Sequence, residues 1–245
     1  MKRFFRSLLL VMLFSLSLFS DNTKSLNQLD FTALVNEFMN EQNALKKIIN
    51  LSGRQRMLTQ NMSKLTLLIQ LNVKKEKSIN ELKKLSTLYD TTLMAFKNGN
   101  PDMGVPKATN KEVVEQILKV EKVWKVFYTH IQKIIKGKDD GTSFKYIMAN
   151  NVELLKISNE LVKRYEASNT SENYLEKSRL SVVNVAGRQR MLTQKMTKEK
   201  LLYLRGDKEI RESLLKTVKL FDDSLNALIY GDVKQHLPKA TNEKI

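Results

Sequence analysis

Apolar residues recur along this chain with the three-to-four-residue period of helices, not the two-residue period of strands. The pattern predicts a long first helix over about residues 31–71 and a second over about 76–97. A third runs from near 109 through Trp124 to about 135, and a fourth covers about 143–165. The period restarts near Tyr174, carries a helix to about Arg205, and returns over about 208–230. Asn98-Gly99-Asn100-Pro101 and the stretch 137–141 interrupt it, as Gly and Pro do. Thr109 with Glu112 three residues later predicts a capping box at the start of the third helix. Residues 7–19 form an apolar run behind Lys2, Arg3 and Arg6, too short to span a bilayer comfortably. They read as a signal peptide over residues 1–20 that sends the rest to the periplasm, an uncleaved inner-membrane anchor being the alternative.

A repeat organises the helices. Gly-Arg-Gln-Arg-Met-Leu-Thr-Gln-x-Met-(Ser or Thr)-Lys occupies residues 53–64 and again 187–198, with ten of twelve positions identical. Pro106-Lys107-Ala108-Thr109-Asn110 likewise returns as Pro238-Lys239-Ala240-Thr241-Asn242. Repetition at this scale points to a duplicated supersecondary unit. The expected fold is all-α: elongated helical bundles in tandem four-helix-type units, the first over residues 21–166 and the second over 167–245. The second unit lacks its last two helices, which a longer gene product or a partner would supply. Ala167-Ser168-Asn169-Thr170 reads either as a joint between units or as a weak helical turn.

On a wheel of about 100° per residue, Leu51, Leu58, Met62, Leu65 and Ile69 share one arc, the expected core face. Asn50, Gly53, Arg56, Met57, Thr59, Gln60, Ser63 and Lys64 gather on the other side. The second copy repeats this stripe as Asn184, Gly187, Arg190, Met191, Thr193, Gln194, Thr197 and Lys198, although Glu199 stands where the first has Leu65. A glycine inside a helix costs about 0.5–1 kcal/mol relative to alanine. Close approach of a second helix at Gly53 and Gly187 would offset that cost. Arg56 and Arg190 would then point into one seam, where an anion would reverse their repulsion. A guanidinium fork matches the oxygens of nitrate, nitrite or a carboxylate. Asn50, Asn184, Gln60 and Gln194 supply further donors, while Arg54 and Arg188 lie about 100° off the stripe and rank second. The competing reading of the same residues is a solvated helix face with a crowding-relief glycine.

Composition narrows the chemistry further. The chain contains no cysteine and two histidines, His130 and His236, which lie apart. That removes disulfides and thiolate sites and leaves little for a histidine-ligated metal or a serine triad. No catalytic residue, metal or cofactor is implied. Net charge is +16, and +13 without the three cations of the signal peptide. Export and the lack of interleaved aromatics argue against nucleic acid as the partner, and favour anionic headgroups or small anions.

Asn-x-(Ala or Ser)-Gly-x-x-Arg-Met on a long helix resembles the P-box of NarX-type nitrate and nitrite sensors. Gly-Arg-Gln-Arg-Met-Leu-Thr-Gln resembles PilJ-type chemotaxis-transducer N-terminal domains. The resemblance implies a helical-bundle sensor whose P-box arginines hold an anion at a subunit interface. Carried over by position, those arginines are Arg56 and Arg190, with Gly53 and Gly187 as the approach glycines. It implies a non-enzymatic sensory module that binds a small oxyanion and passes its state to a membrane sensor or transducer, with a homodimer as a further option. The alternative expectations are an adaptor bundle that docks to a pilus or chemotaxis complex, and a membrane-surface binder.

Overall fold

The computed structural model describes residues 26–168 and 173–240, with side chains from Asn43 onward. The signal-peptide segment, Asn169 and Thr170 of the expected joint, and Thr241 and Asn242 lie outside the described residues. The chain divides into two compact units, residues 1–42 and 43–245, and both motif copies fall within the second.

The regular elements of the described residues are all helices, with no strand among them: α1 Leu26–Gln70, α2 Lys75–Asn98, α3 Lys111–Ile135, α4 Thr142–Ala167, α5 Tyr174–Leu204 and α6 Ile210–Tyr230, followed by a 3-10 turn Val233–Gln235. The expected all-α class and the helix bounds agree to within a few residues, apart from the longer N-terminal end of α1. The cap of α3 differs from the expectation. Its N-cap is Asn110, whose side chain accepts from the Val113 backbone N–H, so Thr109 stands outside the helix. Glu112 turns away to pair with Arg164 of α4. Asparagine at the N-cap satisfies the same orphan donor that a capping box would, without the reciprocal glutamate.

α1 and α5 carry the motif copies, and each is followed by a helix that ends in the same device. Gly99 (φ 81°, ψ 155°) follows α2 and Gly231 (φ 85°, ψ 158°) follows α6. Each glycine leads into a one-pair antiparallel bridge, Asn100 with Val105 and Asp232 with Leu237. Positive φ suits glycine alone here, and the space does too: a Cβ would lie 3.0 Å from the Lys107 nitrogen at Gly99 and 2.9 Å from the Lys239 nitrogen at Gly231.

The hydrophobic core lies among α1, α2, α3 and α4. Leu58, Met62, Tyr89, Leu93, Phe96, Trp124, Phe127, Ile147 and Leu154 are buried in it. Trp124 packs with its ring centroid 4.1 Å from that of Tyr89, the two planes tilted by 34°, and donates its indole N–H to Asp90 at 2.8 Å, so the largest apolar side chain has its one polar atom satisfied. The expected core arc of α1 is buried at Leu51, Leu58, Met62 and Leu65, and partly buried at Ile69.

Candidate functional site

The two motif helices meet along their polar stripes. Gly53 and Gly187 touch: a Cβ built on Gly187 would lie 3.8 Å from the Gly53 Cα. Absence of a side chain at both positions lets the backbones approach, and the Arg56 guanidinium fills the space above them. Its Nη2 would lie 3.2 Å from a Cβ on Gly53 and 3.4 Å from one on Gly187, with Arg190 Nη2 3.6 Å from the latter.

Hydrogen bonds across the seam come in reciprocal pairs. Arg56 Nη2 donates to Asn184 Oδ1 at 2.6 Å, and Arg190 Nη2 donates to Asn50 Oδ1 at 2.8 Å. Farther along, Lys64 donates to Gln194 at 2.7 Å and Lys198 donates to Gln60 at 2.8 Å. Each donor and its counterpart are 134 positions apart, as are the glycines. The glycine contact, together with Lys–Gln pairs that lie C-terminal to the glycine on both helices, makes α1 and α5 run parallel, and the exchange of equivalent partners relates them by a local pseudo-two-fold axis. The remaining motif glutamine anchors each helix to its own successor: Gln55 donates to the Tyr89 carbonyl at 2.8 Å, and Gln189 to the Phe221 carbonyl at 3.0 Å.

The two sides of this axis are covered differently. On the Arg56 side, α4 closes over the seam. Asn159 accepts from Arg56 Nη1 at 2.8 Å, Asn151 accepts from Lys198, and Glu166 accepts from the Asn184 side-chain amide at 2.8 Å. Arg56 is 1% exposed and Lys198 3%. Burial lowers the Arg56 guanidinium to about 10, Glu166 pulling it back up and Arg188 and Arg190 pushing it further down. Burial likewise brings the Lys198 ammonium down to about 8. Burial also raises the Glu166 carboxyl, against its Asn184 hydrogen bond and the fields of Arg56 and Arg188. Glu166 and Arg188 line a cavity of about 320 Å³ with Lys177, Asn184, Gln235 and His236, and Arg188 donates to Gln235 there at 3.1 Å.

On the opposite side Arg190 and Asn50 are exposed. Arg54, the counterpart of Arg188, is half-buried, and its pKa is lowered by burial and then by Arg190. The Arg54 Nε has no hydrogen-bond partner. Among the described residues no carboxylate forms an ion pair with Arg54 or Arg190.

All ten residues expected at the site, Asn50, Gly53, Arg54, Arg56, Gln60, Asn184, Gly187, Arg188, Arg190 and Gln194, therefore lie along one seam. The polar stripe of α1 is not a solvated face: Arg56, Thr59, Gln60 and Ser63 are all buried. Met57 and Met191 pack, the first against the core cluster and the second 7% exposed. Sequence reasoning missed Asn151, Asn159 and Glu166. Their signal was faint, three polar residues 8 and 7 positions apart on one helix, Asn151 falling among apolar neighbours.

A parallel pair of helices joined by guanidinium, ammonium and amide groups defines a helical bundle with a cationic polar seam. The chain belongs to the family of type IV pili methyl-accepting chemotaxis transducer N-terminal domains, PilJ, whose model matches residues 38–144 and 176–245. Each matched segment contains one motif copy. At the level of the family this is a sensory, non-catalytic domain associated with membrane transducers. No curated protein and no solved structure matches the chain. No helix among the described residues is long and apolar enough to cross a membrane.

Proposed function

We propose that this chain is an extracytoplasmic, NarX-like sensory module that binds a small oxyanion, nitrate, nitrite or a carboxylate, on the Arg54–Arg190 side of the seam, and signals through the α1–α5 pair to a membrane transducer. One observation carries the reading. Of two equivalent arginine pairs, Arg56 with Arg188 lies in the field of the Glu166 carboxylate, whereas among the described residues no carboxylate is paired with Arg54 or Arg190. An anion supplied from solvent takes the role on the open side that Glu166 has on the closed one. Asn50 donates its amide N–H to it, and the two guanidiniums, one from each motif helix, clamp it with charge-assisted hydrogen bonds. Because Arg54 belongs to α1 and Arg190 to α5, occupancy ties the helices together, and the register of the pair becomes the readout. Tandem copies in one chain thereby imitate the interface that two subunits would form.

Titration calorimetry of the purified chain with nitrate, nitrite and acetate tests the assignment. Heat with at least one anion is expected, lost in Arg190→Ala and in Arg54→Ala but retained in Arg188→Ala. Heat that survives both substitutions on the open side, or no heat with any of the three anions, would remove it.

A further inference from the structure

The pseudo-two-fold seam makes the molecule its own template for what covers the open side. On the closed side α2 is buried under α3 and α4: Leu93 and Ser86 are both 0% exposed, and Tyr89 bonds Ser158 of α4 at 3.0 Å. The counterparts of these α2 positions lie 132 residues later on α6, the offset fixed by Gly99 and Gly231. There Leu225 is 39% exposed and Val218 38%. Asp90, which takes the Trp124 indole N–H, corresponds to Asp222, which is exposed. Positions that equivalent sequence buries in one place are open in the other, and the same symmetry assigns them to the side of the exposed Arg190 and the half-buried Arg54 and Lys64.

We propose that the face formed by α6 and the open side of the α1–α5 seam is a docking site for a helical hairpin of a partner polypeptide with the chemistry of α3 and α4. The occupant follows from the symmetry. Where Asn159 holds Arg56, it presents an amide oxygen to Arg190; where Asn151 holds Lys198, an amide to Lys64; where Glu166 meets Asn184 and Arg188, a carboxylate to Asn50 and Arg54. Its apolar stripe covers Val218 and Leu225, and an indole or similar N–H reaches Asp222. The face offers three cations and the occupant one carboxylate and two amides, so the pairing is also complementary in charge. Helix-in-groove recognition of this kind is read through anchors at helical spacing, which these positions are.

This proposal does not depend on anion binding, and its test is run in a buffer without nitrate, nitrite or carboxylates. The purified chain is titrated with a fluorescently labelled peptide spanning its own residues 109–168, the α3–α4 hairpin. Saturable binding is expected, with amide-exchange protection appearing along α6. Val218→Asp and Arg190→Glu, both on the exposed face and away from the closed side, each weaken it by about tenfold or more. Unchanged circular dichroism shows that the variants remain folded. A hairpin that fails to bind at millimolar concentration, or binds both variants as tightly as the parent, overturns the proposal. A dimer of the chain alone that dissociates on either substitution overturns it too, by assigning the face to a second copy.

Discussion

At the scale of single residues, equivalent arginines have opposite energetic roles. Arg56 is among the largest fully buried side chains, and three acceptors depend on it: Asn159 Oδ1, Asn184 Oδ1 and the Asn184 carbonyl. Truncation leaves the two amide oxygens without this donor beside a void, and removing one member of a buried charged network costs about 3–5 kcal/mol. Arg190 makes one side-chain hydrogen bond in solvent. Arg56→Ala should therefore lower unfolding free energy by roughly 3 kcal/mol, and Arg190→Ala by no more than about 0.5 kcal/mol, as read by urea denaturation. Lys198 gives a pH signature. Its folded value of about 8 lies below its usual 10.5. Between those values the unfolded chain binds more protons than the folded one, so stability rises with pH as the buried ammonium becomes a neutral amine. The neutral amine still has two N–H groups for Gln60 and Asn151. Between pH 7.5 and 9.5 the parent should gain stability, of order 1–3 kcal/mol, relative to Lys198→Met. Parallel pH curves for the two proteins would contradict this.

At the scale of elements, the glycines separate two kinds of constraint. A methyl group on Gly231 would meet backbone, the Lys239 nitrogen at 2.9 Å and the Leu237 oxygen at 3.1 Å, at a φ of 85°. Neither can yield without opening the bridge, so Gly231→Ala should cost about 2 kcal/mol. A methyl group on Gly53 would meet only the far end of a flexible side chain, Arg56 Nη2 at 3.2 Å. The helix-propensity gain of up to about 1 kcal/mol offsets the displacement. Gly53→Ala should leave Tm within a few degrees of the parent, whereas Gly231→Ala lowers it by several, in a calorimetric scan. This contrast also shows what was legible in the sequence. Helices and their breaks were, because the apolar period and the Gly-Asn-Pro punctuation are local signals. So was the seam, because two copies of one stripe within a chain point to each other. The α4 partners were not: α4 has no second copy in these 245 residues, so Asn151, Asn159 and Glu166 had no repeat to single them out. Nor was the direction of pairing legible. Parallel and antiparallel helices bring Gly53 to Gly187 and Arg56 to Asn184 equally well, and it is the Lys64–Gln194 and Lys198–Gln60 pairs, C-terminal to the glycine on both helices, that select the parallel one. Thr109 misled because Thr-x-x-Glu satisfies the capping-box pattern, while Asn110 competed for the same helix end and won.

At the scale of the whole molecule, the proposed anion and the proposed hairpin would address the same cations, which would make them thermodynamically linked. The hairpin residue equivalent to Glu166 would place a carboxylate against Asn50 and Arg54, beside Arg190, where the proposed anion would also sit. Two anionic groups at one cationic cluster exclude each other, so nitrate should weaken binding of the residue 109–168 peptide. By reciprocity the peptide should weaken nitrate to the same extent. The sign of this coupling depends on one group. In a peptide with Glu166→Gln the carboxylate is gone, the cations of the open side remain unneutralised under the docked helix, and an anion that fills the gap stabilises the complex. Such a peptide should bind more weakly than the parent without nitrate and more tightly with it than without it. The measurement is peptide affinity at zero and saturating nitrate for both peptides, at constant ionic strength held with a non-binding salt, since screening alone weakens every charged contact. Nitrate antagonism that turns to synergy on a single carboxylate-to-amide change would tie ligand and partner to the same two arginines. A nitrate effect of the same sign for both peptides would place them on separate surfaces. In a sensory body of this family, the first outcome gives the anion a means to release a partner helix from the motif seam, with Arg190 and Arg54 as the shared contact.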